Sequence, residues 1–449
     1  MTLKRRLALG LAALLACAAP AAAQLPGAIG LPGVGGALPS GLPAGLGSPI
    51  GEPVRARPLK QRPLEVTGQT VSGLLVGTYE AASHRLLAQH PDVIEPDDHG
   101  QPVVRGEILA LDVDPTALRR LRQAGYSVRS RERLPGLGLE TVVLGAPRGL
   151  STTEAIRRLH ELDPDGQYDF NHLYLESGGV DASTKALGAA TVSAAAPSRV
   201  GLVDGSVATG HPALVGARLM QRPFALGGAV ATAHATAVAS LIVEAAGGPR
   251  GATLYVADIY GATPSGGSAV ALSRGLAWLA DARVPVINVS LVGPPNLLLA
   301  AAIKALVARG HLVVAPVGND GPAAPPLYPA AYPGVVAVTG VDRLRHVLPE
   351  AGRGTHVNFA APGVDLAAAL DRGLVTVRGT SFAAPIAAGL LARRLSAPDP
   401  AAAAEALAAL GQEAVDLGAP GPDPVYGRGL VGADVRVGPA ASTAKSARK

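Results

Sequence analysis

Three residues of this 449-residue chain stand where α/β proteins gather reactive groups. Asp204 follows the apolar run 200–203, at the carboxyl end of what reads as a strand. His234 opens the helical stretch that runs on from Ala235. Ser381 opens another after the turn Gly379-Thr380. An acid, an imidazole and a hydroxyl brought together form a nucleophilic triad. Ser381 would attack a carbonyl, His234 would take and later return the proton, and Asp204 would fix the imidazole tautomer and offset its charge. Each residue alone also has an ordinary reading. An Asp after a strand is a turn former, a His before a helix is more often structural, and a Ser there is by default an N-cap.

Their flanks and order separate these readings. Val200-Gly201-Leu202-Val203-Asp204-Gly205 with Gly210-His211-Pro212 downstream, His234-Ala235-Thr236-Ala237-Val238-Ala239-Ser240, and Gly379-Thr380-Ser381-Phe382-Ala383-Ala384-Pro385 resemble the three catalytic signatures of the subtilisin family (subtilases, peptidase family S8). They stand in that family's order, Asp then His then Ser. Residues 315–322, Ala-Pro-Val-Gly-Asn-Asp-Gly-Pro, resemble its oxyanion-hole segment, and the resemblance implies that Asn319 donates its amide to the oxyanion beside the Ser381 N–H. Taken alone, Asn319-Asp320-Gly321 is also a plain turn. Residues 284–291 and 328–338 extend the likeness, which covers about 199–431.

The resemblance implies a serine endopeptidase acting on proteins or peptides. It places the pocket for the residue before the cut bond along Ser290, Leu291, Val292 and Gly293 and along Ala315, Pro316, Val317 and Gly318. Neither stretch holds an acid or a base, so a small or apolar side chain is expected there. Three departures bear on rate and specificity. The usual Asp-Thr-Gly reads Asp204-Gly205-Ser206, the glycine after the histidine is Ala235, and the glycine after Ser290-Leu291 is Val292. Ala235 adds a methyl near Asp204, and Val292 narrows the path of substrate backbone. Two other readings carry the same residues: a non-catalytic binder on the same fold, and a serine esterase. The esterase lacks support from a Gly-x-Ser-x-Gly elbow around Ser381. No metal site is assigned. Calcium is implied by the family alone, since no carboxylate group has calcium-loop spacing, and Glu95 with Asp97-Asp98 reads as a turn around Pro96.

The elements that must position these residues are legible as texture. From 198 to about 435, apolar runs at 200–203, 284–289, 312–315 and 335–338 alternate with helical stretches at 236–246, 270–280 and 297–309; an alanine-rich helix at 400–410 follows. Strands apolar on both sides, alternating with helices, predict an α/β fold: a parallel sheet covered by helices on both faces. Residues 64–178 read as a separate α+β module. Strands at 107–113, 128–133, 139–144 and 168–174 and helices after Asp114 and after the capping box Ser151-Thr152-Thr153-Glu154 give the order β-α-β-β-α-β, a ferredoxin-like arrangement. By the resemblance this module is a propeptide, an intramolecular chaperone and inhibitor. Residues 179–197 are an Ala/Ser/Gly-rich connector, and self-cleavage is expected between Glu176 and Pro197.

The first 23 residues have a secretory signal's form: Lys4-Arg5-Arg6, an apolar stretch, then Ala21-Ala22-Ala23 before Gln24. The expected location is therefore secreted or periplasmic. The only cysteine, Cys17, lies in this segment, so the mature chain has no disulfide; Leu14-Leu15-Ala16-Cys17 offers the alternative of a lipid anchor. Residues 24–63 are a Pro/Gly-rich linker and 436–449 a tail. Beyond the signal no apolar run is long enough to span a bilayer, Lys304 breaking the best one. The net charge of +5 is spread thinly, with no basic stripe interleaved with aromatics, which argues against nucleic-acid binding.

Overall fold

A computed structural model describes residues 78–176, 178–181, 197–370 and 373–435. The expected signal, the linker, the tail and connector residues 182–196 lie outside the described residues. The described residues all belong to one compact unit.

The unit begins with helix α1 (Tyr79–Gln89) and the short strand β1 (Ile94–Pro96), neither of which the sequence pattern announced. Then come β2 (Pro102–Leu111), α2 (Pro115–Gln123), β3 (Ser127–Leu134), β4 (Leu139–Gly145), α3 (Thr152–Leu162) and β5 (Gln167–His172). In the sheet β2 lies between β4 and β5, with β3 outside β4, and every pairing is antiparallel. This is the β-α-β-β-α-β arrangement read from the sequence. Asp114 caps α2 by accepting from the Thr116 and Ala117 N–H groups, and Ser151 caps α3 by accepting from Glu154 N–H. The expected capping box is half made, because the Glu154 carboxylate turns to Arg157 instead of back to the cap.

Two short strands, β6 (Leu175–Glu176) and β7 (Gly179–Asp181), lead to the larger sheet. Its strands and covering helices run in the order β8 (Ser198–Asp204), β9 (Arg218–Pro223), α4 (Ala233–Ala245), β10 (Ala252–Asp258), α5 (Ala269–Asp281), β11 (Val286–Val289), α6 (Leu297–Ala308), β13 (Leu312–Pro316), β14 (Val336–Val341) and β15 (Val357–Pro362), while the two-residue β12 (Leu291–Val292) between β11 and α6 lies outside this sheet and pairs with β6. The chain closes with the hairpin β16 (Val364–Leu370) and β17 (Gly373–Arg378), then α7 (Thr380–Ala392) and α8 (Pro400–Glu413). Seven strands pair in the order β15-β14-β13-β11-β8-β10-β9, all parallel.

Alternate side chains of the central strands enter different cores. Val200 and Leu202 pack with α4 and α7, while Val203, Ile287 and Val313 pack with α5 and α6. Burial on both faces is why these strands read as unbroken apolar runs. Among the described residues no helix is long and apolar enough to cross a membrane.

Helices α4 and α7 carry His234 and Ser381, so their spacing sets the site. They approach closely where Gly389 faces Ala245: a Cβ on Gly389 would lie 2.5 Å from Ala245 Cβ and 2.7 Å from the Ile242 carbonyl oxygen. Gly389→Ala should therefore push the helices apart despite alanine's better helix propensity. The expected loss is about 1–2 kcal/mol, overpacking outweighing propensity. It is read as a melting temperature a few degrees lower, measured in chains carrying Ser381→Ala so that no cleavage intervenes; an unchanged or higher value would refute the close contact.

Candidate active site

Asp204 ends β8 between the neighbouring parallel strands β10 and β11, at the carboxyl edge of the sheet. It is completely buried. Its Oδ1 accepts from the Gly205 N–H at 2.7 Å, and its Oδ2 lies 2.9 Å from His234 Nδ1. His234 stands in the first turn of α4, whose N-cap is Thr232. Its Nε2 lies 3.2 Å from Ser381 Oγ, and its ring packs against Phe382 at 5.3 Å between centroids. Ser381 is the second residue of α7 and is also fully buried. The structure thus brings the three sequence-predicted residues into one hydrogen-bonded line from carboxylate to imidazole to hydroxyl.

Local details explain two departures in the sequence signatures. A Cβ at position 205 would lie 2.5 Å from Thr232 Cγ2, so glycine follows Asp204 because Thr232 fills that space. Ser206 then donates its hydroxyl to Asp258 Oδ2 at 2.7 Å. Ala235 is buried, with its methyl in the apolar cluster that α4 and α7 share.

Asn319 is buried beside the start of α7. Its Oδ1 accepts from the Thr380 N–H at 3.0 Å and from the Thr380 hydroxyl at 3.1 Å, which fixes which end of the amide is the donor. The next residue, Asp320, does something the sequence did not reveal. Its carboxylate accepts from the Tyr79 N–H (2.7 Å) and the Glu80 N–H (3.3 Å), capping α1 of the N-terminal module. Burial raises its pKa and those amides pull it back.

Of the expected pocket residues, Ser290, Leu291, Val292 and Gly293 are all buried. Ser290 has a further role. Pro385 stands inside α7 and lacks the N–H that would bond the Ser381 carbonyl; the Ser290 hydroxyl donates to that carbonyl at 3.2 Å. Ala315 and Pro316 end β13, Ala315 and Val317 pack into the core on the α5/α6 side, and Gly318 follows with Leu327 against it.

An N-terminal segment of the chain lies against this stretch. Leu173 bridges Ser268, and the Tyr174 N–H donates to the Gly267 carbonyl at 2.8 Å. Strand β6 pairs antiparallel with β12, Glu176 opposite Leu291 and Leu175 opposite Val292. The valine expected to narrow the path thus accommodates this ladder. Tyr174 is fully buried over Gly293, its hydroxyl donating to the Pro294 carbonyl at 2.8 Å. Beyond Glu176, β7 pairs antiparallel with β17, Gly179 opposite Arg378. Between them Gly178 passes directly over the hydroxyl. At its φ of +136° a Cβ would sit 2.5 Å from Ser381 Oγ and 3.0 Å from the Phe382 ring, which only glycine avoids. Ser177 lies outside the described residues.

Glu176 brings a second carboxyl to the triad. Thr232 donates its hydroxyl to Glu176 Oε1 at 3.2 Å. Glu176, Asp204 and His234 each place a polar atom within 4.8 Å of the others. The 2.9 Å gap between His234 and Asp204 is closed by a hydrogen bond, so the trio is a charge cluster. Part of Glu176 stays exposed, yet its carboxyl group is enclosed; burial, aided by the Asp204 charge and opposed by His234, pushes its pKa up to about 7.

Residues 228–429 match the Subtilase family. The chain is 34% identical over 168 residues to the minor extracellular protease Epr of Bacillus subtilis, covering 37% of this chain and 26% of that protein. It is 34% identical over 143 residues to subtilisin Savinase of Lederbergia lenta, covering 31% and 52% respectively. It is 32% identical over 184 residues to subtilisin DY of Bacillus licheniformis, covering 40% and 66%. The matches therefore span between about a quarter and two thirds of those relatives' lengths. Among solved structures, fervidolysin from Fervidobacterium pennivorans shares the fold, with a TM-score of 0.60 and 19% identity over 76% of this chain and 62% of that one. Sequence match, relatives and fold agree, and the chain belongs to the subtilase family.

Proposed function

We propose that the chain is a secreted serine endopeptidase, made as a precursor that cuts itself. The observation that carries this reading is the buried line from Asp204 through His234 to Ser381, crossed by a segment of the same chain lying antiparallel to β12. In the proposed reaction Ser381 Oγ attacks the peptide carbonyl while His234 Nε2 takes its proton. The proton passes to the departing amine as the C–N bond breaks, and water then releases the acyl group by the same route in reverse. Asp204 holds the Nδ1–H and offsets the imidazolium charge. The Ser381 N–H and the Asn319 amide stabilise the oxyanion. These steps use protein groups alone. The form of the first 23 residues supports export.

The register supports a site for the self-cut that is narrower than the whole connector. Pairing changes from β12 to β17 across Ser381, so the cut falls in the step from Glu176 to Gly178. The N-terminal module then acts as the expected chaperone and inhibitor, with Tyr174 to Glu176 left in the cleft after cleavage.

Three measurements test this. A fluorophosphonate probe should label Ser381 in the processed protein, Ser381→Ala should accumulate uncut and unlabelled, and the labelled form should digest casein. No label in folded, processed protein would leave a binder, and labelling with ester but no casein hydrolysis would leave an esterase. Asn319→Ala should lower kcat by ~10²–10³ with little change in KM, the magnitude established for loss of one oxyanion donor in subtilisin; an unchanged kcat would remove Asn319 from the oxyanion site. Gly178→Ala should slow self-cleavage at least tenfold, about 1.4 kcal/mol, by forcing a methyl against Ser381 Oγ. Probe labelling of any chain that does mature should stay normal, because residue 178 then belongs to the new product end; mass spectrometry of the maturing protein reads both.

A further inference from the structure

Glu176 has no part in the proposed reaction, yet it sits in direct reach of the residues that perform it. Its strand is fixed by pairing with β12, which leaves the carboxyl little freedom to turn away. The groups facing it come from three elements. Asp204 ends β8, His234 stands in α4, and Tyr260 follows β10 with Asp258 behind it. The Tyr260 hydroxyl is buried with no hydrogen-bond partner among the described residues. Among the described residues the Thr232 hydroxyl donates to the Glu176 carboxyl and also accepts from the Ala235 N–H at 3.0 Å.

Two carboxylates enclosed in one place cannot both be ionised without a large penalty. Asp204 already has the Gly205 N–H and the imidazole to hold its charge. The proton therefore goes to Glu176. Once the segment leaves the cleft, Glu176 returns to water and to an ordinary glutamate's acidity. Filling the cleft thus takes up a proton, and emptying it releases one.

We propose that Glu176 is a positioning residue of the chain's own cleft-filling segment, its protonated carboxyl holding the segment over Ser381 and its ionisation loosening that hold. The proposal rests on the reading that this segment occupies a peptidase cleft. The sign follows from linkage. The filled state has the higher glutamate pKa, so its advantage is fully present below the ordinary value of 4.5 and is lost as pH rises through about 7. A tenfold change accompanies each pH unit in that window, so the hold should weaken by about three-hundredfold overall and by about a hundredfold between pH 5 and pH 8. The module would be kept in acid and surrendered at neutral and alkaline pH.

The test uses the full chain carrying Ser381→Ala, alone and combined with Glu176→Gln or Glu176→Leu. Hydrogen exchange of peptides covering residues 170–181 is followed by mass spectrometry at pH 5 and pH 8, corrected for intrinsic exchange, with β2 to β4 as internal reference. In Ser381→Ala, protection of this segment should fall by about a hundredfold between the two conditions. In the combined variants it should stay level, because a neutral side chain has no proton to lose. The leucine variant keeps the comparison if the glutamine one does not fold. Equal protection at both pH values in Ser381→Ala, or the same fall in all the chains, overturns the proposal. These chains lack the nucleophile, so the outcome is independent of the labelling result that would sink the peptidase reading.

Discussion

The hydrogen bond between Asp204 Oδ2 and His234 Nδ1 is the contact on which the rest of the site depends. Asp204 has no exposed surface, and an unpaired carboxylate in that position would be costly to bury. Its charge is held by one backbone N–H and one imidazole, and both must arrive from defined directions. The parallel sheet provides the first condition by ending β8 between β10 and β11. Helix α4 provides the second, since its Thr232 cap fixes the first turn in which His234 lies. Helix α7 then completes the line only because it packs directly on α4, with Phe382 against the imidazole ring. The fold delivers three side chains from three elements, and the packing of those elements leaves little room to adjust any one.

The N-terminal module is tied to this arrangement through helix ends. The first N–H groups of a helix lack internal partners and carry partial positive charge, so an acceptor from elsewhere both satisfies and stabilises them. Asp320 supplies that acceptor to α1. In return the module's β5 supplies Asn171 Oδ1 to Val270 at the start of α5, at 3.2 Å, and Asp169 Oδ2 to Leu297 at the start of α6, at 2.6 Å. Each half therefore leaves acceptors and amides that the other completes. This gives a physical reason for the two halves to form one compact unit. It also links that union to the site, because Asp320 adjoins Asn319.

Much of this was legible in the chain. Strands buried on both faces declare themselves as unbroken apolar runs, and the caps Asp114 and Ser151 mark helix starts by residue type alone. Asp204, His234 and Ser381 could be singled out because each has a distinctive neighbourhood within a few residues. What could not be read depends on contacts between distant positions. Strands β6 and β7 are two and three residues long, too short to show a period, and exist because the cleft edges β12 and β17 pair with them. Ser290 looked like a pocket wall; its bond to the Ser381 carbonyl follows from Pro385 on another element. Asp320 looked like part of a turn, and nothing near it in sequence names α1 as its partner.

Thr232 shows how such distant contacts bind the signatures together. Its methyl occupies the space that any side chain at position 205 would need. Its oxygen caps α4, holding the turn that presents His234, and the same hydroxyl donates to Glu176. A residue other than glycine after Asp204 would displace Thr232 and so disturb the helix cap, the imidazole and the hold on the cleft-filling segment at once. The space beside Gly205 is filled here by Thr232, and the Thr232 hydroxyl meets a carboxyl belonging to the chain's own N-terminal half. The altered signature leaves the line from Asp204 through His234 to Ser381 intact, and what it changes is the contact between Thr232 and the N-terminal half.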